Sequence, residues 1–389
     1  MSKQSKVFIS HENPSDSAVD CASIDKMINS NNSVTNCHYD VLDKMRADYL
    51  RGPAIFHASK HWERLNQLNV DWLKEDGIEN FKRSVNNNYF NWMLSAKSPF
   101  FLITLRAFIR RNLFHPVNLL SVLFARLDSN EMGYRTSISD LQYPGLFKRK
   151  QYALYLRLLH DFVSRMDTLN LFRNLEEPAA GNPISIKYKG RRISQDICNS
   201  YLEYLYINTT LGEKFSDLKY ICEIGSGYGR LIYLFKKLSV KKTTKYILVD
   251  IPPALFIAQW YLRESLPDVQ FFEYRDFIDF ADVKSDFEKA SICFLLPHQL
   301  ELLPDKYIDL IINISSFHEM LPAQIKKYYD IINKKTSYFY TKQWLFWENP
   351  DDKIVVPAVI YPTNPEWQLM AARLNPVHTT FFEAMFKIS

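Results

Sequence analysis

One short stretch, Tyr220-Ile-Cys-Glu-Ile-Gly-Ser-Gly-Tyr-Gly-Arg230, limits the possible fold more than any other part of the sequence. It places Gly225, Gly227 and Gly229 within five residues, although the whole chain of 389 residues has only 10 glycines. The residues before the glycines are typical of a buried parallel strand, and residues 231–238 are typical of a helix with one apolar face. Glycines between a strand and a helix let the main chain adopt positive φ angles and let a ligand approach it closely.

The order of the acid and the glycines in this stretch indicates which nucleotide it could bind. A dinucleotide-binding turn needs G-x-G-x-x-G, and its third small residue would fall at Arg230, which is too large. The observed order, Glu223-x-Gly225-x-Gly227-x-Gly229, resembles motif I of the class I S-adenosylmethionine-dependent methyltransferases. The resemblance implies S-adenosylmethionine as the cofactor, and its sulfonium and ammonium groups suit an acid beside the loop.

A second acid follows the next strand. Residues 245–250 read Lys-Tyr-Ile-Leu-Val-Asp, a buried strand that ends in Asp250. An acid in this place accepts hydrogen bonds from the ribose hydroxyls of a bound nucleotide, and Ile251 would be an apolar neighbour of the adenosine. The alternative is a strand–turn–helix corner that binds no ligand, but the loop, the acid and their spacing agree with the first interpretation.

The remaining pattern predicts an α/β fold, namely a Rossmann-like methyltransferase domain with a mostly parallel seven-stranded sheet and an N-terminal helical accessory region. Val269–Tyr274 and Ser291–Leu296 compete for the third strand, and we prefer the second because the strand Ile308–Ile314 follows it closely. Residues 269–290 are then an inserted strand and helix. The predicted division is a flexible N-terminal segment (1–40), the helical accessory region (41–180), the cofactor-binding domain (181–349) and a C-terminal segment covering the active face (350–389).

Shorter patterns fill in this outline. Residues 184–193 alternate apolar and polar around a Lys-Gly turn and predict a hairpin, and Ser194 is expected to cap the helix that follows. Within the accessory region, apolar residues at helical spacing predict several helices, including one from Asn118 to Leu127 after Pro116.

Ligands of open α/β sheets bind beyond the carboxyl ends of the strands, and this rule selects the residues that should contact the cofactor. The third strand offers Pro297, His298 and Gln299, which could reach the adenine, and the fourth offers Ser315. The complete predicted cofactor-binding set is Glu223, Gly225, Ser226, Gly227, Gly229, Asp250, Ile251, Pro297, His298, Gln299 and Ser315.

The acceptor is expected at the segment after the fourth strand, Ser315-Ser-Phe-His-Glu-Met320. A hydroxyl is a poor nucleophile while it keeps its proton, so a base helps. His318 is the first candidate because neutral imidazole is available at physiological pH, and Glu319 is the second, either orienting His318 or binding an acceptor hydroxyl. The alternative is that this pair only caps a helix start and packs. His298 and Asp276 are further candidates for the base.

No metal site is predicted, although scattered carboxylates could hold a divalent ion. His57-x-x-x-His61 could place two imidazoles on one helix face, but it lacks the glutamate of H-E-x-x-H, and we interpret it as chance spacing. The 5 cysteines form no C-x-x-C pair; Cys222 and Cys293 lie in apolar strands and are expected to be core residues in a reducing compartment.

The composition narrows the remaining functions. A net charge of +5 from 48 basic and 43 acidic residues does not favour a nucleic-acid partner. The polar N-terminus predicts no signal peptide, and the best apolar stretch, residues 99–127, is broken by arginines, so no membrane span is expected. These features predict a cytoplasmic protein; its oligomeric state is not predicted.

A narrower resemblance concerns the acceptor. Pro297–Leu303, Tyr307–Asn313 and Ser316–Met320 resemble the bacterial sugar O-methyltransferases, as do Asp250–Pro253 and Phe81–Phe90, and the likeness spans roughly residues 78–370. It implies O-methylation of a sugar hydroxyl in surface polysaccharide or glycan biosynthesis, with a sugar, nucleotide sugar or glycan as acceptor. The late aromatics, which either present faces to a sugar ring or form core, are Trp344, Trp347, Tyr361 and Trp367.

Two other functions stay open. The chain could methylate another small molecule, such as a natural product or an amine, or RNA. The Asn/Asp-Pro-Pro-aromatic motif of N-methylating enzymes is replaced by Ser315-Ser-Phe-His318, which counts against an N-methylating DNA or protein enzyme. The chain could also be a non-catalytic interaction module, but an intact glycine loop and Asp250 argue against this.

Overall fold

The computed structural model describes residues 39–85, 125–128, 133–136, 139–143, 145–239, 243–349 and 351–389. The chain divides into two units at residue 43; residues 39–43, the described part of the first unit, are helical, and the second unit comprises residues 44–389. The expected flexible segment therefore lies almost entirely outside the described residues. Residues 125–127, the described end of the helix predicted from Asn118, are not helical.

The centre of the second unit is an eight-stranded sheet with the order β13-β14-β10-β9-β5-β6-β8-β7. The six strands from β10 to β7 are parallel. At the β10 edge, β14 pairs antiparallel with β10, and β13 pairs antiparallel with β14. The sheet strands are β5 (Tyr220–Ile224), β6 (Lys245–Val249), β7 (Phe271–Phe272), β8 (Ile292–Leu295), β9 (Ile308–Ile314), β10 (Thr336–Trp344), β13 (Gln368–Leu374) and β14 (Phe381–Lys387).

The chain order of these strands reverses at β5, because β6 and β8 extend the sheet to one side and β9 and β10 to the other. This arrangement confirms the predicted Rossmann-like α/β class with a mostly parallel sheet, although the sheet has eight strands and not the predicted seven. The central strands β6 and β8 are mostly apolar because they are buried; Cys222 in β5 and Cys293 in β8 are fully buried core residues, as expected. The reversal at β5 creates a crevice at the carboxyl ends of β5 and β9.

Helices connect the strands and form the accessory region. Residues 44–51 are helical, and the other described helices are α1 (Lys60–Asp76), α2 (Phe81–Ser84), α3 (Leu146–Met166), α4 (Gln195–Leu211), α5 (Arg230–Leu238), α6 (Ala254–Ser265), α7 (Phe280–Lys289) and α8 (Pro322–Lys335). Ser194 caps α4 as predicted, since its hydroxyl accepts a hydrogen bond from the main-chain N–H of Ile197. None of the helices in the described ranges is long and apolar enough to cross a membrane.

Three two-stranded ribbons complete the described structure. They are β1 (Tyr134–Thr136) with β2 (Ser139–Gln142), β3 (Ile186–Tyr188) with β4 (Arg191–Ile193), and β11 (Phe346–Asn349) with β12 (Ile354–Pro357). The hairpin β3–β4 confirms the pattern at residues 184–193, and β7 with α7 confirms the inserted strand and helix. The ribbon β1–β2 was not predicted within the helical region, and neither were the sheet strands β13 and β14. The boundaries between the four predicted segments stay predictions.

A buried ion pair of the accessory region packs against the glycine loop and α6. The Lys82 side chain is fully buried, and its ammonium contacts the Glu177 carboxylate and lies 4.8 Å from the ring centre of Tyr228 and 4.4 Å from that of Tyr261. The second carboxylate oxygen of Glu177 accepts a hydrogen bond of 2.6 Å from the Ser194 hydroxyl. Removing the lysine would leave a buried carboxylate without its counter-charge.

We expect Lys82→Met to lower the free energy of unfolding by about 3 kcal/mol, because the Glu177 carboxylate loses its charged partner while apolar volume is kept. Urea unfolding followed by circular dichroism measures the change. The matched control is Lys148→Met, which removes an exposed lysine and should change stability by less than about 0.5 kcal/mol. Equal effects of the two variants would contradict this role for the buried pair.

Candidate active site

The crevice at the reversal of strand order is a cavity of about 400 Å³. Its lining residues come from two groups of segments, which we call its first and second part. The first part is formed by the ends of β5, β6 and β8 and is lined by Glu223, Gly225, Ser226, Gly227, Tyr228, Arg230, Val249, Asp250, Ile251, Ala254 and Pro297. The second part is lined by Phe56, His57, Ala58, Ser59, His61, Trp62, Leu65, Ile314, Ser315, Ser316, Glu319, Met320, Gln324, Tyr328, Trp344, Trp347 and Phe381.

Two glycines of the loop have different reasons for lacking a side chain. Both have positive φ angles, 68° at Gly225 and 55° at Gly227. A Cβ atom on Gly225 would lie 2.2 Å from the hydroxyl oxygen of Ser316, so this glycine allows the segment after β9 to pack on the loop. A Cβ atom on Gly227 would meet no atom within 4 Å among the described residues. Gly227 therefore leaves main chain open to the cavity.

Asp250 fixes the loop from the end of β6. One carboxylate oxygen accepts a hydrogen bond of 2.7 Å from the main-chain N–H of Gly227, and the other accepts one of 2.7 Å from Ile251. Burial raises the pKa of Asp250 to about 7, although both hydrogen bonds act to lower it. A ligand that donates hydroxyl hydrogens to this carboxylate would stabilise its ionised form.

Glu223 lies in the same part of the cavity and is only 3% exposed. Burial raises the pKa of its carboxyl well above the usual range, and the charge of Arg230 opposes this in part. Its Oε2 atom has no hydrogen-bond partner among the described residues. Buried carboxylate oxygens are rarely left unpaired, so this atom indicates a ligand that carries hydrogen-bond donors or a positive charge.

Most of the predicted cofactor-binding residues meet at this cavity, and three do not line it. Gly229 begins α5, where a Cβ atom would lie 2.9 Å from the Leu262 side chain, so it serves helix packing. Gln299 is fully buried and bonds the main chain of Leu296 and Arg275, each at 2.9 Å. His298 instead lies beside Gly52.

Glu319 lines the cavity, whereas His318 does not. The short turn Phe317–Glu319 buries His318, which is 1% exposed, and directs its Nδ1 atom to the Gln343 side-chain oxygen at 3.1 Å. The imidazole is not among the groups that line the cavity, and its Nε2 atom lies 3.6 Å from the Oε1 atom of Glu319. Glu319 does line the cavity, and its Oε2 atom accepts a hydrogen bond of 2.8 Å from the indole N–H of Trp62. The roles of both residues stay predictions.

The wall formed by residues 56–65 was missed by the sequence analysis. Trp62 bonds Glu319 across 257 residues of sequence, and His61 bonds Asp351 across 290 residues, so no local pattern could reveal these contacts. The spacing of His57 and His61 was the available signal, and both histidines line the cavity. No cluster of three metal-ligating side chains occurs within the described ranges.

Comparisons of the sequence with known proteins identify no relative of this chain. No protein-family model matches the sequence, and the search of curated proteins found no match. Among solved structures, the PH0226 protein from Pyrococcus horikoshii OT3 is 12% identical over 48% of this chain and 92% of that chain, with a TM-score of 0.32. At this identity and TM-score, the similarity assigns neither a reaction nor a ligand to this chain.

Two further solved structures are similar at the same level. Magnesium protoporphyrin IX methyltransferase from Synechocystis PCC 6803 with bound SAM is 8% identical over 50% of this chain and 83% of its own, with a TM-score of 0.35. The methyltransferase domain of bacterial CtHen1-C is 12% identical over 49% of this chain and 98% of that chain, with a TM-score of 0.31.

We expect Gly225→Ala to destabilise the protein by about 2 kcal/mol more than Gly227→Ala, because only the first variant forces a new Cβ atom into the Ser316 side chain. Both variants carry a similar cost for the positive φ angle, so each is a control for the other. Urea unfolding measures the difference, and Ser316→Gly added to Gly225→Ala should recover most of it. A double variant as unstable as Gly225→Ala would rule out the Ser316 contact as the cause.

Proposed function

We propose that this protein is an S-adenosylmethionine-dependent O-methyltransferase whose acceptor is a sugar hydroxyl. The observation that carries the proposal is the meeting of three features in one cavity: the open main chain at Gly227, the Oε2 atom of Glu223 that has no hydrogen-bond partner among the described residues, and the Asp250 carboxylate. The resemblance of residues 223–229 to motif I of class I methyltransferases gives the same cofactor.

The first part of the cavity fits the chemical groups of S-adenosylmethionine. Asp250 can accept hydrogen bonds from ribose hydroxyls, with Ile251 and Pro297 as apolar neighbours for the adenosine. Glu223 offers its unpaired oxygen to the ammonium group of the methionine part. Bound S-adenosylmethionine supplies an activated methyl group, so the protein has mainly to align the acceptor with it and to take up a proton.

The second part of the cavity fits a polar ring with hydroxyl groups. Trp62, Trp344 and Trp347 provide flat apolar faces of the kind that pack against sugar rings, and Glu319 adds a carboxylate that can accept hydroxyl hydrogens. Of the four late aromatics, Tyr361 and Trp367 pack instead on Tyr329 in the core, with stacked rings 6.3 Å and 5.6 Å from it. Two of the four late aromatics, Trp344 and Trp347, thus line the cavity.

Two alternative functions are separable from this one by experiment. Methylation of RNA or of another small molecule would use the same cofactor part of the cavity with a different acceptor. A screen with labelled S-adenosylmethionine and a panel of nucleotide sugars, glycan fragments, small-molecule amines and RNA distinguishes them, because mass spectrometry shows which compound gains a methyl group. Labelling of RNA or amines in place of sugars would overturn the sugar assignment and keep the methyltransferase.

Calorimetric titration tests the cofactor directly. We expect the protein to bind S-adenosylmethionine, and Asp250→Ala to weaken binding by about 1–3 kcal/mol through the lost hydrogen bonds to the ribose. Asp268→Ala is the matched control, because it removes an exposed aspartate and should leave the affinity unchanged. The enzyme proposal fails if the unmodified protein binds neither S-adenosylmethionine nor S-adenosylhomocysteine.

The pH dependence of this binding follows from Asp250. Its pKa of about 7 means that the carboxyl is largely protonated below neutral pH and ionised above it, and ribose hydroxyls donate to the ionised form. Affinity for S-adenosylmethionine should therefore rise between about pH 6 and about pH 8. Titrations of unmodified protein and Asp250→Asn check this, since the variant should lose the part of the dependence that comes from Asp250 and keep the part that comes from Glu223, whose pKa is also raised; an unchanged profile would exclude Asp250 as a source.

A further inference from the structure

We propose that His61, oriented by Asp351, is the general base that removes the acceptor proton during methyl transfer. This rests on the proposed function and adds a residue that no sequence motif identified. His61 lies on the first turn of α1 and lines the second part of the cavity, where the acceptor is expected.

The imidazole is held in the orientation that a base requires. Its Nδ1 atom lies 2.7 Å from an Asp351 carboxylate oxygen, and a carboxylate can only accept, so the proton resides on Nδ1 and the lone pair on Nε2. Nε2 has no hydrogen-bond partner within the described parts of the chain. The side chain remains 13% exposed, in a residue that lines the cavity.

Asp351 is itself fixed by several contacts. Arg64, one turn further along α1, lies 3.0 Å from the same carboxylate oxygen, and the main-chain N–H of Asp351 donates to the Asn349 side chain at 3.1 Å. The next residue, Asp352, accepts hydrogen bonds of 3.2 Å from the main-chain N–H groups of Lys60 and His61. The loop between β11 and β12 is thereby attached to the start of α1, and the His61–Asp351 pair is built before any ligand arrives.

The other histidines near the cavity are less suited to this role. His318 is buried, and the cavity wall does not include it. His57 lines the cavity, but its Nε2 atom bonds the neutral carbonyl oxygen of Gly52 at 3.0 Å. A carboxylate stabilises the imidazolium that forms when a base takes a proton, and a carbonyl does so much less. Among the cavity-lining histidines, His61 is the one with a carboxylate partner on its ring.

A neighbouring group indicates what the acceptor carries beside the reacting hydroxyl. Trp347 lines the cavity, its ring centre is 6.5 Å from that of His61, and its indole N–H has no hydrogen-bond partner in the described structure. A buried indole N–H normally donates to an oxygen. An acceptor with two neighbouring oxygens, such as a sugar diol, could give one hydroxyl proton to His61 and accept a hydrogen bond from Trp347.

The proposed reaction transfers one methyl group to the acceptor oxygen and one proton to His61. The acceptor O–H bond breaks and its proton goes to Nε2 of His61, while the acceptor oxygen forms a bond to the methyl carbon. Bound S-adenosylmethionine would supply the methyl group, and its sulfur would keep the electron pair of the broken carbon–sulfur bond. The imidazolium then returns its proton to solvent, and no oxidant is required.

The first test needs no acceptor. In ¹⁵N-histidine-labelled protein saturated with S-adenosylhomocysteine, nitrogen chemical shifts report which ring nitrogen carries the proton, and His61→Asn assigns the signal. We expect His61 to be protonated on Nδ1 at neutral pH in the unmodified protein and in Asp352→Asn, and to lose this preference in Asp351→Asn. Protonation on Nε2, or an imidazolium that persists to about pH 9, would overturn the proposal.

The second test uses the acceptor found by the screen. His61→Gln should lower kcat by about 10²–10⁴-fold while the calorimetric affinity for S-adenosylmethionine changes by less than about twofold. The charged groups around the ring are Asp351 and Arg64, with Asp352 at the main chain and Glu319 also in the cavity wall. Asp351→Asn should move the acid limb of the kcat profile to lower pH, because the imidazolium loses its anionic partner; Asp352→Asn, which loosens the same loop, should not.

The outcomes separate this proposal from the function on which it rests. Unmodified protein that does not bind S-adenosylmethionine would remove both. Normal binding with full turnover in His61→Gln would remove only the role of His61, and a loss of turnover in His318→Gln alone would return the base to His318. Where the screen finds no acceptor, the protonation state of His61 and its dependence on Asp351 decide the result.

Discussion

The hydrogen bonds between the Asp250 carboxylate and the main chain of Gly227 and Ile251 hold the floor of the cavity together. The carbonyl oxygen of Val249, one residue earlier, accepts from the N–H groups of Gly225 and Ser226, so the end of β6 organises the whole loop after β5. Keeping a carboxylate there is costly, as its raised pKa shows. A ligand that donates hydrogen bonds to Asp250 stabilises the buried carboxylate. This end of β6 therefore favours the binding of a ligand with hydroxyl groups.

A buried amide network determines which side chain after β9 faces the cavity. Asn313 donates to the carbonyl oxygen of Ile224 at 2.8 Å, and its side-chain oxygen accepts from the N–H of Phe317 and from the Gln343 side chain. The oxygen of Gln343 is then available to Nδ1 of His318. These contacts join β5, β9 and β10 and fix the turn so that Glu319 faces the cavity and His318 the interior.

The sequence predicted what depends on local pattern. A buried strand, three glycines and an amphipathic helix follow one another within about twenty residues. The sequence therefore predicted β5, the loop, α5 and the residues that line the first part of the cavity. Which of His318 and Glu319 faces the cavity depends on a one-residue rotation within a short turn, and that rotation is decided by Asn313 and Gln343 from two strands. The late strands β13 and β14 were missed because apolar and polar residues do not alternate cleanly along their sequences.

The two parts of the cavity therefore differ in what holds them. The first part is built from the ends of neighbouring strands. The second part requires α1, the turn after β9 and the loop after β11 to meet across more than 250 residues of sequence. Trp62 with Glu319, and His61 with Asp351, are the contacts that bring them together. Loosening the β11–β12 loop would displace Asp351 and the Trp347 side of the wall while leaving Asp250 and Gly227 in place. Under the proposed function, donor affinity and acceptor turnover would thus be separable by mutation, and the acceptor would be selected by contacts that no short motif contains.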